Sequence, residues 1–363
     1  MSYRLDRRGF LALSGGALGA AFLAACGGRD DESAAGSSSV SVDPNRDVTL
    51  RLGYFPNLTH AQPTVGLERG TYTQVLGSNV KLETKTFNAG PSVIEAIFAG
   101  ALDASYIGPN PAINGFVQSQ GKDIRIVAGA TSGGALFVIR PDRGINSPAD
   151  FANKKLATPQ LGNTQDVALR AWLKKNGLNA KEQGGNVTVL PTSNADTLTL
   201  FNKGDIDGAW VPEPWGTRLL QEAGGKVYLD ERSLWPNSDF VVTHLIVRAK
   251  YLDENPDVIE KLVSAHVDVT DYINANPSEA KALLNRSIEK ATSAALPVRV
   301  IDGAWENQKI TYDPISTSLK KSADDAFALG FLEKKPDLTN IYNLSFLNKV
   351  LKDRQLAEVK GLG

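Results

Sequence analysis

The chain has 363 residues, 42% of them apolar and 22% charged, with 39 Lys and Arg against 40 Asp and Glu. That near-neutral balance, without any block of basic residues, argues against a nucleic-acid partner. The single cysteine, Cys26, excludes an intrachain disulfide, a cysteine-based metal cluster and dithiol redox chemistry. At the start, Arg7-Arg8-Gly9-Phe10-Leu11 is a twin-arginine pattern leading into the apolar run Leu11 to Ala25. The run is shorter than the roughly 20 residues that span a bilayer, so it reads as the core of a signal peptide over 1–25. It ends in Leu23-Ala24-Ala25-Cys26, similar to the bacterial lipobox, in which the cysteine is acylated and opens the mature chain. Export and lipid attachment at Cys26, on the outer face of the cytoplasmic membrane, are the expectation. Residues 26–47 are rich in Gly, Ser and acids, bury too little surface to offset their ordering entropy, and are expected to form a flexible tether.

From Val48 the pattern changes. "VTLRLGY" (48–54) alternates as a strand does, and a Pro/Asn/Thr turn then leads into a helix. "NVKLETKTF" (79–87) is a second strand, and "GPSVIEAIFAG" is a helix with Pro91 in its first turn and Gly100 at its stop. "LDASYIG" is a third, buried strand. The order β-α-β-α-β with short connections predicts a parallel sheet.

The same unit recurs 104 residues later, the offset from Leu52 to Leu156. "GALDASYI" (100–107) then falls on "GDIDGAWV" (204–211) without a gap, and "SVIEAIFAG" falls on "DTLTLFNKG". Two α/β lobes of similar topology are expected, one over 48–139 and the other over 140–238. "DFVVTHLIVRA" is a returning strand, after which the helical spacing of 255–277, 313–331 and 344–354 predicts a helical C-terminal part. Residues 239–363 are therefore assigned to the first lobe. Two crossings between lobes make a hinge with a cleft suited to closing over a ligand.

Ligands of open parallel sheets sit beyond the carboxyl ends of the strands. The segments there are 54–62, 106–114, 131–136, 158–166 and 210–217, and none contains Lys or Arg. They hold Tyr54, Asn57, Thr59, His60, Tyr106, Gly108, Pro109, Asn110, Ser132, Gly133, Asn163, Thr164, Gln165, Trp210, Glu213 and Trp215, and Thr243 in the returning strand joins them. Helix starts at Asn57–His60, Gly108–Asn110 and Gly162–Thr164 would offer backbone N–H groups and the positive dipole end to a small anion. Asp166, Glu213 and Asp239 would hold a cationic end of the same ligand. Each has a structural alternative: Asn and Thr before a helix also serve as caps. Asp103 and Asp207, each after a helix-stop glycine, are expected to be structural. His60 is expected at the ligand; for His244 packing and hinge contact stand equal, and His266 is expected to be structural.

"LGYFPNLTHAQPTVGLERG", "GPSVIEAIFAGALDASYIGPNPAI", "GNTQDVALRAWL" and "GDIDGAWVPEPWG" together resemble the solute-binding proteins of ABC importers for sulfonates, taurine and nitrate. The resemblance runs from about residue 48 into the C-terminal helices. It implies an α/β fold of the type II periplasmic-binding-protein kind, with two lobes and a ligand in the interlobe cleft. It also implies a monomer without cofactor or metal that works with a membrane permease, and binding without catalysis. Asn57–His60, Tyr106, Gly108–Asn110 and Asn163–Gln165 match family pocket segments, and Glu213–Trp215 matches the loop that closes on the ligand. The nitrate branch has a similar Glu-Pro-Trp, but the missing basic residue here favours an organic anion over nitrate or bicarbonate. A heteroaromatic ligand of the thiamine-precursor type, stacked on Tyr106, Trp210 and Trp215, is the second reading. An enzyme on the same fold is the third; it has no G-x-S-x-G, H-E-x-x-H or cysteine nucleophile behind it.

Overall fold

A computed structural model describes residues 46–362; the signal segment, Cys26 and residues 27–45 of the tether lie outside the described residues. Arg46, expected in the tether, is already pinned, donating to Asn255 Oδ1 at 2.8 Å and pairing with Asp257 at 3.1 Å. The strands are β1 (Val48–Tyr54), β2 (Val80–Thr86), β3 (Ala104–Ile107), β4 (Ile124–Gly133), β5 (Ala135–Ile139), β6 (Lys155–Thr158), β7 (Thr188–Pro191), β8 (Gly208–Pro212), β9 (Lys226–Asp230), β10 (Val241–Arg248) and β11 (Gln308–Ile310). They form two sheets, ordered β11-β4-β10-β3-β1-β2 and β7-β6-β8-β5-β9.

The internal repeat is visible as strand register. Leu52 pairs with Ala104 and Gly53 with Ser105; in the second sheet Leu156 pairs with Gly208 and Ala157 with Ala209. Every partner lies 104 residues from its counterpart, and helices Gly90–Phe98 and Asn194–Lys203 start at the same offset. The two aspartates share the correspondence. Asp103 accepts the Arg51 backbone N–H at 3.0 Å, and Asp207 accepts that of Lys155 at 2.7 Å. Each thus fastens the end of one parallel strand to its neighbour, the structural role expected of it.

The sheets are mixed, not parallel throughout. The parallel rule holds for β2-β1-β3 and β7-β6-β8. The strands that connect the lobes, β4, β5, β9 and β10, run antiparallel to their neighbours because the chain enters and leaves each sheet from the hinge side. Side chains alternate across both sheets as the pleat requires. Leu50, Leu52 and Tyr106 face one core with helix Pro256–Ala275, while Ile107 and Ile246 face another. In the second sheet Phe137 and Trp210 face one core, Leu136 and Val211 the other. Among the described residues no helix is long and apolar enough to cross a membrane.

β4 and β5 are separated by Gly134 alone, and β5 pairs with β8 and β9. The change of sheet therefore falls before β5, not after residue 139. Gly133 and Gly134 both take left-handed backbone, φ 76° and 78°. A Cβ on Gly133 would stand 2.8 Å from the Asn307 carbonyl oxygen, so two constraints require glycine here. The second connector, residues 231–240, is sewn to the first: Ser132 Oγ donates to Asp239 Oδ1 at 3.1 Å and the Phe240 N–H donates to Ser132 Oγ at 3.3 Å. Ser132 and Gly133 are thus hinge residues.

The repeat predicts unequal costs for its two aspartates. Asp103 is fully buried and holds Arg51 at 2.7 Å and Arg248 at 2.9 Å, whereas Asp207 is partly exposed and meets Arg143 at 3.3 Å. Asp103→Ala should cost about 3 kcal/mol or more, as expected on breaking a buried pair, and Asp207→Ala clearly less. Urea denaturation of the two variants checks this; equal losses would contradict it.

Candidate ligand-binding site

The carboxyl ends of the parallel strands meet between the lobes around a cavity of about 20 Å³, room for about one water. Asn57, Thr59 and His60 reach it from the loop after β1, Asn88 from that after β2, and Gly108 from that after β3. The second lobe contributes Asn163, Thr164 and Gln165 after β6, Asn194 after β7 and Pro212 of β8; Val242 and Thr243 of β10 complete the wall.

Its walls are neutral: hydroxyl and N–H donors, with the Asn194 amide oxygen an acceptor among them. Helix Thr164–Lys175 begins at the cavity with Asn163 as N-cap, yet Asn163 makes no capping bond. Its amide instead donates to Gln165 Oε1 at 3.2 Å, and its Oδ1 accepts the Gly90 N–H from the other lobe at 3.4 Å. The first N–H groups of the helix have no intrahelical acceptor. Thr164 is the first helical residue, so the capping alternative fails for it. Thr164 Oγ1, Thr243 Oγ1 and Asn194 Oδ1 are buried without a partner. A buried unpaired polar atom costs about 1–3 kcal/mol, a debt that a ligand bonding to it removes.

His60 adds a donor and no charge. The Phe55 N–H donates to its Nδ1 at 3.3 Å and the Phe55 ring stacks on it at 4.3 Å. Burial pushes its pKa down to about 3, so the imidazole is neutral. With Nδ1 accepting, the ring proton is assigned to Nε2, which leaves the ring an N–H donor.

Other expected residues lie elsewhere. Tyr54 packs into the first lobe's core. Tyr106 is buried with its hydroxyl 2.6 Å from Tyr72 Oη and 2.8 Å from His266 Nδ1, because its strand position points it towards helix Pro256–Ala275. Trp210 faces the second lobe's core, where its indole N–H donates to Glu231 Oε2 at 2.8 Å. Pro109 is buried in the first turn of helix Pro109–Gln118, and Asn110 Nδ2 donates to the Ser322 carbonyl at 3.2 Å. His244 Nε2 lies 3.2 Å from the Pro314 carbonyl, a packing contact in the first lobe.

None of the three acids expected at a cationic ligand end lines the cavity. Asp166 accepts from Thr158 Oγ1, the Gly162 N–H and Arg170 Nε at 2.9–3.0 Å. Glu213, fully buried, accepts from the Thr217 N–H and hydroxyl at 2.9 Å and from Asn307 Nδ2 at 2.6 Å. Burial pushes the Glu213 pKa up, while these bonds pull it down. Its carboxylate therefore serves the start of helix Trp215–Ala223 and a contact with the C-terminal part. Asp239 is held by Ser132.

Outside the cavity lies a wider vestibule of about 350 Å³ that shares Asn57, Asn88 and Asn194 with it. Trp215 stands at this junction, its indole N–H donating to Asn57 Oδ1 across the lobes at 3.1 Å. Arg218 lies over the Trp215 ring at 4.6 Å and pairs with Glu222 at 3.0 Å. Sequence reasoning missed Arg218, one residue beyond the last loop segment, although its place in the first turn of a helix starting at the cleft was a signal. Asn88 and Asn194 lie in the loops after β2 and β7, outside the five segments named from the sequence.

Two outcomes follow from this geometry. A Cβ on Gly108 would stand 2.3 Å from Thr164 Oγ1 of the opposite lobe, so Gly108→Ala should hold the lobes apart and lower ligand affinity at least tenfold, read by titration calorimetry. Because His60 stays neutral well below pH 5, affinity for an anion of constant charge should be flat from pH 8 to 5.5. A tenfold rise on acidification would mean that His60 gains its proton at the ligand.

A model described as the NMT1-like family matches residues 43–287. A binding protein of Brucella abortus (strain 2308), with no ligand in its name, is 26% identical over 84% of this chain and 92% of its own length. The taurine-binding periplasmic protein of Escherichia coli (strain K12) is 24% identical over 60% of this chain and 65% of its own. Among solved structures, the alkanesulfonate-binding protein SsuA from Xanthomonas axonopodis pv. citri, bound to MOPS, superposes with a TM-score of 0.69. It is 17% identical and covers 82% of this chain and 99% of its own. The resemblance read from the sequence is thus borne out: the chain belongs to the NMT1-like family and has the two-lobed α/β fold of periplasmic solute-binding proteins.

Proposed function

We propose that the protein is the solute-binding component of an ABC importer, a binder and not an enzyme. It captures a small organic anion, sulfonate-like in its head group, between its lobes and delivers it to the membrane permease. In this reading the chain is exported by the twin-arginine route, acylated at Cys26 and held as a monomer at the outer face of the cytoplasmic membrane. The observation that carries the ligand class is the uncapped helix start at Thr164, facing a buried cavity beside the unpaired Thr164 and Thr243 hydroxyls and a neutral His60. Several fixed N–H and O–H donors disperse over the oxygens of an oxyanion, and in a desolvated cavity they do so without a counter-charge to bury. The taurine- and alkanesulfonate-binding relatives support the same class.

Nitrate or bicarbonate finds no Lys or Arg in the cavity wall, since Arg218 stands outside it and is paired with Glu222. A heteroaromatic held between three aromatic faces loses its support, because Tyr106 and Trp210 spend their polar atoms inside the lobes. Catalysis would need a nucleophile beside a base. The hydrogen-bond partner of the His60 ring is instead the Phe55 backbone.

Calorimetric titration of the protein with short alkanesulfonates, taurine and nitrate tests the reading. A sulfonate should bind, nitrate should bind at least tenfold more weakly, and Thr164→Val should cost the sulfonate tenfold or more. No heat from any sulfonate would contradict it. For the anchor, Cys26→Ser should move the protein from the membrane fraction to the soluble one; unchanged fractionation would refute lipid attachment there.

A further inference from the structure

We infer that Arg170, which lies outside the cavity wall, is the positioning residue that lets the start of helix Thr164–Lys175 accept an anion. It acts through Asp166, whose buried negative charge it neutralises. The inference rests on the oxyanion reading above and concerns the charge behind the donors, not the shape of the ligand.

The helix start carries a charge of the wrong sign. Asp166 is the third helical residue, fully buried, and follows directly on the cavity residues Asn163, Thr164 and Gln165. Its carboxylate is needed there. Oδ2 accepts the Gly162 N–H and Oδ1 the Thr158 hydroxyl, both at 2.9 Å, which fixes the loop between β6 and the helix. With a rise of about 1.5 Å per helical residue, that charge stands on the order of 8 Å from the donors. In an interior that screens poorly, a like charge at such a range weakens anion binding by about tenfold or more. Something must cancel it.

Arg170 does so from one turn further along the helix. Its side chain is 2% exposed, and its Nε donates to Asp166 Oδ1 at 3.0 Å. Two features set this guanidinium apart from an ordinary helix-surface pair. The first lobe seals it: Phe331, packed on that lobe's core, places its ring centroid 5.9 Å from the guanidinium. A Cβ on Gly162 would stand 3.8 Å from the same ring, so Phe331 covers the bonded loop as well. The second feature is Nη2, which is buried without a partner. Glu182 also meets Arg170, but it is half exposed and water screens its charge. The cavity wall thus holds no cation, while a buried one stands behind it on the helix that faces the ligand.

Titration calorimetry with methanesulfonate tests this on the full chain, on Arg170→Gln, on Asp166→Asn and on the two substitutions combined. Arg170→Gln should bind at least tenfold more weakly, because Asp166 keeps its charge. The combined variant, with both charges gone, should return to within about threefold of the native affinity. A role confined to holding the fold predicts the reverse, since two lost partners cannot bind better than one. Where Arg170→Gln does not fold, the other two variants decide. Both lack the carboxylate, and Asp166→Asn, which keeps the cation, should bind at least about threefold more tightly than the combined variant. Native affinity in Arg170→Gln, no recovery in the combined variant, or equal affinity in that last pair would overturn the inference and leave the oxyanion reading standing. Failure of methanesulfonate to bind the native chain would remove both.

Discussion

The start of helix Thr164–Lys175 is buried between two lobes, and its N-cap side chain does not cap it. Helix starts carry free N–H groups and the positive end of a dipole, and burying them without an acceptor is unfavourable. Here the acceptor that a side chain would normally supply is withheld, because Asn163 is committed to Gln165 and to Gly90 of the other lobe. The surrounding atoms deepen the demand instead of meeting it. Thr164 and Thr243 hydroxyls are unpaired, and the nearby His60 already uses its acceptor nitrogen on the Phe55 N–H. The cavity gathers donors from both lobes around a missing acceptor, with the Asn194 amide oxygen as an unpaired acceptor beside them.

Closure follows from the same contact. Gly108 lets the first lobe approach Thr164 to a distance that a methyl group would forbid. On one flank Trp215 bonds Asn57 across the lobes; on another Asn307, beside the hinge, bonds Glu213 and accepts the Gly134 N–H on its carbonyl. Glu213 thus links the loop after β8, through Asn307, to the Gly134 connector. Carboxylates in this protein are spent on architecture. Asp103 and Asp207 tie strand ends, Asp166 holds its own helix start and Arg170, and Glu213 holds the next helix. The interlobe cavity is left with neutral polar groups, a division of labour that suits the proposed oxyanion.

Much of this was legible in the sequence because it is written twice. An offset of 104 residues between Leu52 and Leu156 anticipates the pairing of Leu52 with Ala104 and of Leu156 with Gly208. The rule placing ligands beyond strand ends locates Asn57, His60, Gly108, Asn163, Thr164 and Gln165, since loop position depends only on topology. What the sequence does not show is direction. Tyr106 and Trp210 lie one or two residues before the ends of their strands, and the pleat sends them into the cores. Glu213 sits in the right loop, but its carboxylate turns to Thr217 four residues on and to Asn307, a partner far along the chain. Arg218 escaped because helical rise brings the first turn after a loop back to the cleft. Contacts made by distant residues decide such cases, and no local pattern encodes them.

Hydrogen exchange at the amides of Thr164 and Gln165, measured with and without a short alkanesulfonate, tests the central claim most directly, since the Asn163 N–H is already bonded to the Gln160 carbonyl at 3.0 Å. The account predicts that ligand slows exchange at these amides and at Asn57–His60 together, because one head group bridges donors from both lobes. Binding that protects surface segments while leaving Thr164 and Gln165 unchanged would show that the anion sits elsewhere, and would contradict it.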